Sequence, residues 1–131
     1  MKALRIAGVV LVALVCLIGL GFLTMSKQQQ DALAKLQDVP VDMARVADGV
    51  YTAQSDGGMV KVEVQVTVRD HAIEDIRLLE HQNGLGKPAE AMLSEMIRLN
   101  TDQVDAVAGA TASSLTIRNA VNRALGQGIT P

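Results

Sequence analysis

The segment Val60-Lys61-Val62-Glu63-Val64-Gln65-Val66-Thr67-Val68 alternates a β-branched apolar residue with a polar one along its whole length. A side-chain period of two puts the five valines on one face and Lys61, Glu63, Gln65 and Thr67 on the other, the pattern of a half-buried strand. One dry face and one wet face belong to an antiparallel sheet, because the strands of a doubly wound parallel sheet are covered on both sides. The reading of this run therefore sets the fold class.

Turn signals bracket the run. Asp56-Gly57-Gly58 precedes it and Arg69-Asp70-His71 follows it. Beyond the second turn, AIEDIRLLE (72–80) predicts a strand that forms a hairpin with the valine run, its Ile73, Ile76, Leu78 and Leu79 breaking strict alternation as at a bulge. Upstream, Asp48-Gly49 leads into a short strand around VYTAQ (50–54). Downstream, NGLGKP (83–88) is a glycine loop that places Pro88 in the first turn of a helix running to about Asn100, with Ala89, Met92, Leu93, Met96 and Ile97 on one face. A last helix starts just after Thr111, buries Leu115, Ile117, Val121, Ala124 and Leu125, and ends near Gly126 and Gly128. Strands followed by helices predict an α+β fold, a small, mainly antiparallel sheet with helices packed on it.

Ahead of this domain, Ile6–Met25 is a run of 20 residues without a charge. At about 1.5 Å per residue such a helix crosses the roughly 30 Å hydrocarbon core of a bilayer. The run is longer than a signal-peptide core and lacks a clear small-x-small cleavage site. Leu14 and Val15 stand where a lipoprotein signal needs small residues before Cys16, so Cys16 reads as a lipid-facing or packing residue. Lys2 and Arg5 precede the span, which predicts a cytoplasmic N-terminus and an exported remainder, on the periplasmic or outer face in a bacterium. The expected organisation is a membrane anchor over 1–25, a stalk over 26–47 with a short exposed helix in SKQQQDALAKLQDV (26–39) broken by Pro40, and one folded domain over 48–131.

Beyond the span 10 basic side chains face 14 acidic ones, and no basic stripe is present, which argues against nucleic acid as a partner. The exported part has no cysteine, so disulfides and thiolate metal sites are excluded there. There is no G-x-S-x-G elbow and no zinc-binding helix motif, and His71 and His81 read as strand-end or turn residues. A hydrolase built on Ser113 or Ser114 would need an oriented base that the spacing does not display.

What remains is DAVAGATASS (105–114), small residues leading to one hydroxyl. Thr111 at a helix start is first of all an N-cap. Gly109 and Ala110 support a second reading, in which bare backbone and the free N–H groups of the first turn seat a phosphate.

The run Asp105-Ala106-Val107-Ala108-Gly109-Ala110-Thr111, with Ser113 and Ser114 behind it, resembles the D-x-x-[S/T]-G-A-T motif of the FMN-binding domain family, which includes subunits of the sodium-translocating NADH:quinone reductase and Rnf electron-transport complexes. Asp48-Gly49-Val50-Tyr51 resembles the family's opening D-G-x-Y, and His81 with Gly84 and Gly86 is similar to its histidine and glycine loop. The resemblance implies that a flavin transferase cleaves FAD and joins FMN through a phosphoester to Thr111, with Asp105 as the acidic residue the transferase recognises. It implies that Gly109, Ala110, Ser113 and Ser114 help to place the cofactor and that His81, Gly84, Leu85 and Gly86 border it. Ala108 departs from the motif, which has Ser or Thr there. Tyr51 is the only aromatic residue beyond the span, so the flavin ring would lie against aliphatic groups such as Leu85 or Met92, and a covalent tether would compensate for modest affinity. The expected role is a membrane-anchored electron carrier without catalytic residues or a metal of its own, exchanging electrons with redox partner proteins in the membrane or periplasm. Two other classes stay open: a noncovalent flavin- or phosphate-binding module, and a cofactor-free partner-binding domain.

Overall fold

The computed structural model describes residues 1–82 and 84–129, without the side chains of 84–87. Helix α1 covers Lys2–Ala34 and none of its residues is buried. It is long and apolar enough to cross a membrane. The short stalk helix expected within 26–39 is not a separate element: α1 runs on through it to Ala34 and the chain then turns extended. No glycine or proline stands between Phe22 and Val39 to stop the helix, and Gln, Ala, Leu and Lys all favour its continuation.

Strands β1 (Gly49–Asp56), β2 (Lys61–Arg69) and β3 (Ala72–His81) form an antiparallel meander in that order. The register runs from Gly49 opposite Val68 to Asp56 opposite Lys61, and from Val62 opposite His81 to Arg69 opposite Ala72. Both turns use left-handed backbone. Gly58 has φ +92°, and Asp70 and His71 have φ 51° and 61°, the two consecutive positive values of a type I′ hairpin. Val62, Val64, Val66 and Val68 are sealed on the inner face, each at most 2% exposed, so each contributes on the order of 1.5–3 kcal/mol of hydrophobic stabilisation. The irregular apolar spacing of β3 has the expected cause. Glu74 and Leu79 are the unpaired residues at two register shifts against β2, which brings Ile73, Ile76 and Leu78 inward and leaves Leu79 51% exposed.

The helices cover the inner face of the sheet. Helix α3 (Thr111–Gln127) lies across β1 and β2 and buries Ile117, Ala120, Val121, Ala124 and Leu125 completely. Leu115, expected in the core, is only half-buried, because the inward face of that turn is taken by Ser114 and Thr116. Helix α2 (Met92–Leu99) packs on β3 through Met92 and Met96. It starts later than Pro88 predicts: Gly84–Ala91 is a 3-10 helix that contains the proline, consistent with two glycines weakening α-helix in that stretch. Asn100 ends α2 in the left-handed conformation, and its carboxamide accepts from the Ile73 N–H at 2.8 Å and donates to the His71 carbonyl at 3.1 Å, joining the helix end to β3.

Between α1 and β1 the chain is tied to α3 by amide side chains. Asn122 accepts from the Val39 N–H and donates to the Val39 carbonyl, at 2.9 and 2.7 Å. Asn119 donates to the Gln37 carbonyl at 3.0 Å and to Asp38 at 2.9 Å. A bridge between Val46 and Ile129 closes the other end.

Candidate functional site

The loop between α2 and α3 is built from the inside out. Asp102, 2% exposed, accepts from Asn122 Nδ2 and Gln103 Nε2, both at 2.7 Å. Val104 then enters the core, and Asp105 and Ala106 emerge to the surface. A tight turn follows in which the Ala110 N–H donates to the Val107 carbonyl at 3.0 Å and Gly109 takes φ +80°. A Cβ on Gly109 would meet nothing within 4 Å, so glycine is used there for its backbone conformation and not for space. Ser114, fully buried in the first turn of α3, reaches back to accept from the Val107 N–H at 2.9 Å and pins the turn to the helix.

Thr111 is not the N-cap that its position in the sequence predicts. Ala110 occupies that position with φ −131° and ψ 40°, no side chain caps the helix, and Thr111 is its first residue. The Gly109 turn delivers the chain one residue early, and Thr111 is an exposed residue. The start of α3 thus combines an exposed threonine with the N–H groups of Thr111, Ala112 and Ser113, which precede the first intrahelical bond from Ser114 and have no side-chain cap, and the helix dipole favours an anion there.

His81, read from the sequence as a turn or strand-end residue in solvent, is buried, its side chain 4% exposed. Its Nε2 lies 3.0 Å from Ser113 Oγ and its Nδ1 3.1 Å from Glu90 Oε1, so one imidazole joins the end of β3, the 3-10 helix and the first turn of α3. This row supplies the oriented base that the spacing does not reveal. Ser113 is 3% exposed, however, and a nucleophile closed off among packed side chains cannot meet a substrate. The row is a structural pin.

Beside Asp105 a shallow groove of about 310 Å³ runs between α2 and the loop, walled by Met92, Leu99, Val104 and Val107. Glu95 lies on its rim, where the hydrogen bond from Arg98, reinforced by that guanidinium's charge, holds its carboxyl below the usual range. Of the expected residues, His81 and Ser113 meet directly, Ser114 ties the start of α3 to Val107, Gly109, Ala110 and Thr111 follow one another into the helix, and Asp105 lines the groove on the other side of Val107. The expectations for Gly84, Leu85 and Gly86 as groups bordering a ligand lie outside the described residues, since only the backbone of 84–87 is described. Sequence reasoning missed Glu90, Asn119, Asn122 and Asp102, none of which stands in a motif.

Residues 57–126 match the family model of the FMN-binding domain. No curated protein matches the chain.

Proposed function

Because this chain belongs to the FMN-binding domain family and is thus a flavin-binding module, we propose that it is a membrane-anchored electron carrier whose FMN is held by a phosphoester to Thr111. The observation that supports this most directly is the position of Thr111, the surface-exposed first residue of an uncapped helix. In the attachment step a flavin transferase breaks the pyrophosphate of FAD. The Thr111 oxygen bonds to the FMN phosphorus, its proton is lost, and AMP leaves.

The first-turn N–H groups of α3 would hold the phosphate, Met92, Val104 and Val107 would wall the ring, and Asp105, exposed six residues before Thr111, would be read by the transferase. FMN, once bound, supplies the redox chemistry; the protein positions it. A tether raises the local flavin concentration to about millimolar order, which suits a groove as shallow as this one. Ile6–Met25 of α1 spans the bilayer, with Lys2 and Arg5 on the cytoplasmic side.

The test is coexpression of the full chain with a flavin transferase, followed by denaturation, intact mass and in-gel fluorescence. The expected mass gain is one FMN less water, abolished in Thr111→Val. Flavin that separates in denaturant would replace the covalent reading with a noncovalent module, and no flavin at all would leave a partner-binding domain.

A further inference from the structure

The contacts of the chain leaving α1 follow a strict order along the domain. The Gln29 carboxamide clasps the β1–β2 turn, donating to the Gly57 carbonyl at 2.6 Å and accepting from the Met59 N–H at 2.8 Å. A Cβ on Gly58 would lie 2.9 Å from Gln29 Oε1 and 3.0 Å from Ala32 Cβ. One on Gly57 would lie 2.1 Å from Thr116 Oγ1 and 3.2 Å from Leu33 Cδ2. The two glycines thus let the turn wedge between α1 and α3. Further on, Asp38 meets Arg118 and Asn119, Val39 meets Asn122, and Val46 meets Ile129. As the chain moves away from α1 it passes α3 from its beginning to its end, so α3 points its N-terminus, and Thr111, back toward the apolar segment.

From this register we infer that the Thr111 end of the domain is a membrane-contacting face, held at the lipid headgroups by the Gln29 clasp. The inference rests on the anchoring proposed above. Gln29 is four residues past Met25, about 6 Å along the helix, and the headgroup layer is itself roughly 5–7 Å deep on each side. Leu33, level with Thr116, stands about 12 Å past Met25, and Thr111 is about 7.5 Å along α3 before Thr116. Thr111 therefore lies about 5 Å above the hydrocarbon edge for parallel helix axes, the sense that the order of contacts gives, and about 12 Å for perpendicular ones. Met59, 55% exposed, belongs to the clasped turn. The Asp70–His71 turn is at the far end of β2, about 27 Å away along the strand.

The occupant is the lipid surface itself, which would bring a group on Thr111 to the level of partners embedded in the bilayer. The test uses the full chain with Cys16→Ser, reconstituted in phosphatidylcholine and phosphatidylglycerol vesicles that contain a nickel-chelating lipid. Nitroxide labels are placed at Met59→Cys, Ala108→Cys and Asp70→Cys. Relaxation by the headgroup nickel is expected to be several-fold stronger at 59 and 108 than at 70, and Gln29→Ala is expected to weaken it at 108 while thermal unfolding remains cooperative. Protein that floats with the vesicles but shows equal relaxation at 108 and 70 overturns the contact face alone. Protein that does not float overturns the anchoring as well.

Discussion

His81 Nε2 and Ser113 Oγ lie 3.0 Å apart with both side chains buried, and this contact joins the last residue of β3 to the first turn of α3. Removing either partner strands the other. His81→Ala and Ser113→Ala are each expected to cost about 1–3 kcal/mol, and the double variant less than their sum, because the second change no longer leaves a polar atom unpaired. Denaturant titrations of the three variants measure the coupling; full additivity would show that the contact contributes nothing.

Gly109 makes a sharper distinction between backbone and space. Its φ of +80° disfavours any side chain, yet a Cβ there would touch nothing. Gly109→Ala should cost about 1 kcal/mol through strain alone, Gly109→Asn less, and Gly109→Val more, in the order of their tolerance for left-handed backbone. Equal unfolding midpoints for all three would refute the assignment.

Ser114 can be tested through exchange. With its oxygen gone, the Val107 N–H loses the acceptor now 2.9 Å away. Ser114→Ala should lower stability by about 1–3 kcal/mol and speed amide exchange at Val107 ahead of the helix core.

Asn122 serves three partners, the Val39 N–H, the Val39 carbonyl and the buried Asp102 carboxylate. Asn122→Ala leaves that carboxylate with a donor fewer and frees the segment after α1. The expected loss is about 3 kcal/mol or more, a thermal shift of roughly 12 °C or greater in a domain of this size.

Glu95 predicts a pH effect. Its folded pKa is lowered by Arg98, so its contribution is present above the unfolded value and disappears as pH falls through the lowered one. The carboxyl is exposed, so salt should weaken the effect. Carbon-detected titration of Glu95 should place its midpoint below 4.5, rising toward it in Arg98→Ala or at high salt.

Much of the fold is legible along the chain because period-two burial writes itself directly into β2, and the turn residues on either side permit few connections. The bulges of β3 are visible only as broken alternation; which residue is expelled depends on pairing with β2, and Leu79 cannot be told from Leu78 beforehand. Thr111 shows how a strong local preference yields to geometry, since the Gly109 turn gives the cap position to an alanine that cannot fill it. Polar residues within α3 mislead most. Nothing in the sequence marks Asn119 and Asn122 as interior; the extended segment after α1, together with Ser55 of β1 and Asp102, makes them so. The partnership of His81 and Glu90 is equally invisible, because it arises where a strand end meets a 3-10 helix.

The unbroken course of α1 through Gln29 makes the apolar rod and the folded domain share one rotational phase. A single residue added or deleted between Phe22 and Gln29 would turn one part about 100° against the other. Such a change would also shift the apolar segment about 1.5 Å along the axis relative to the clasp, whereas substitutions that keep the helix would alter neither angle nor height.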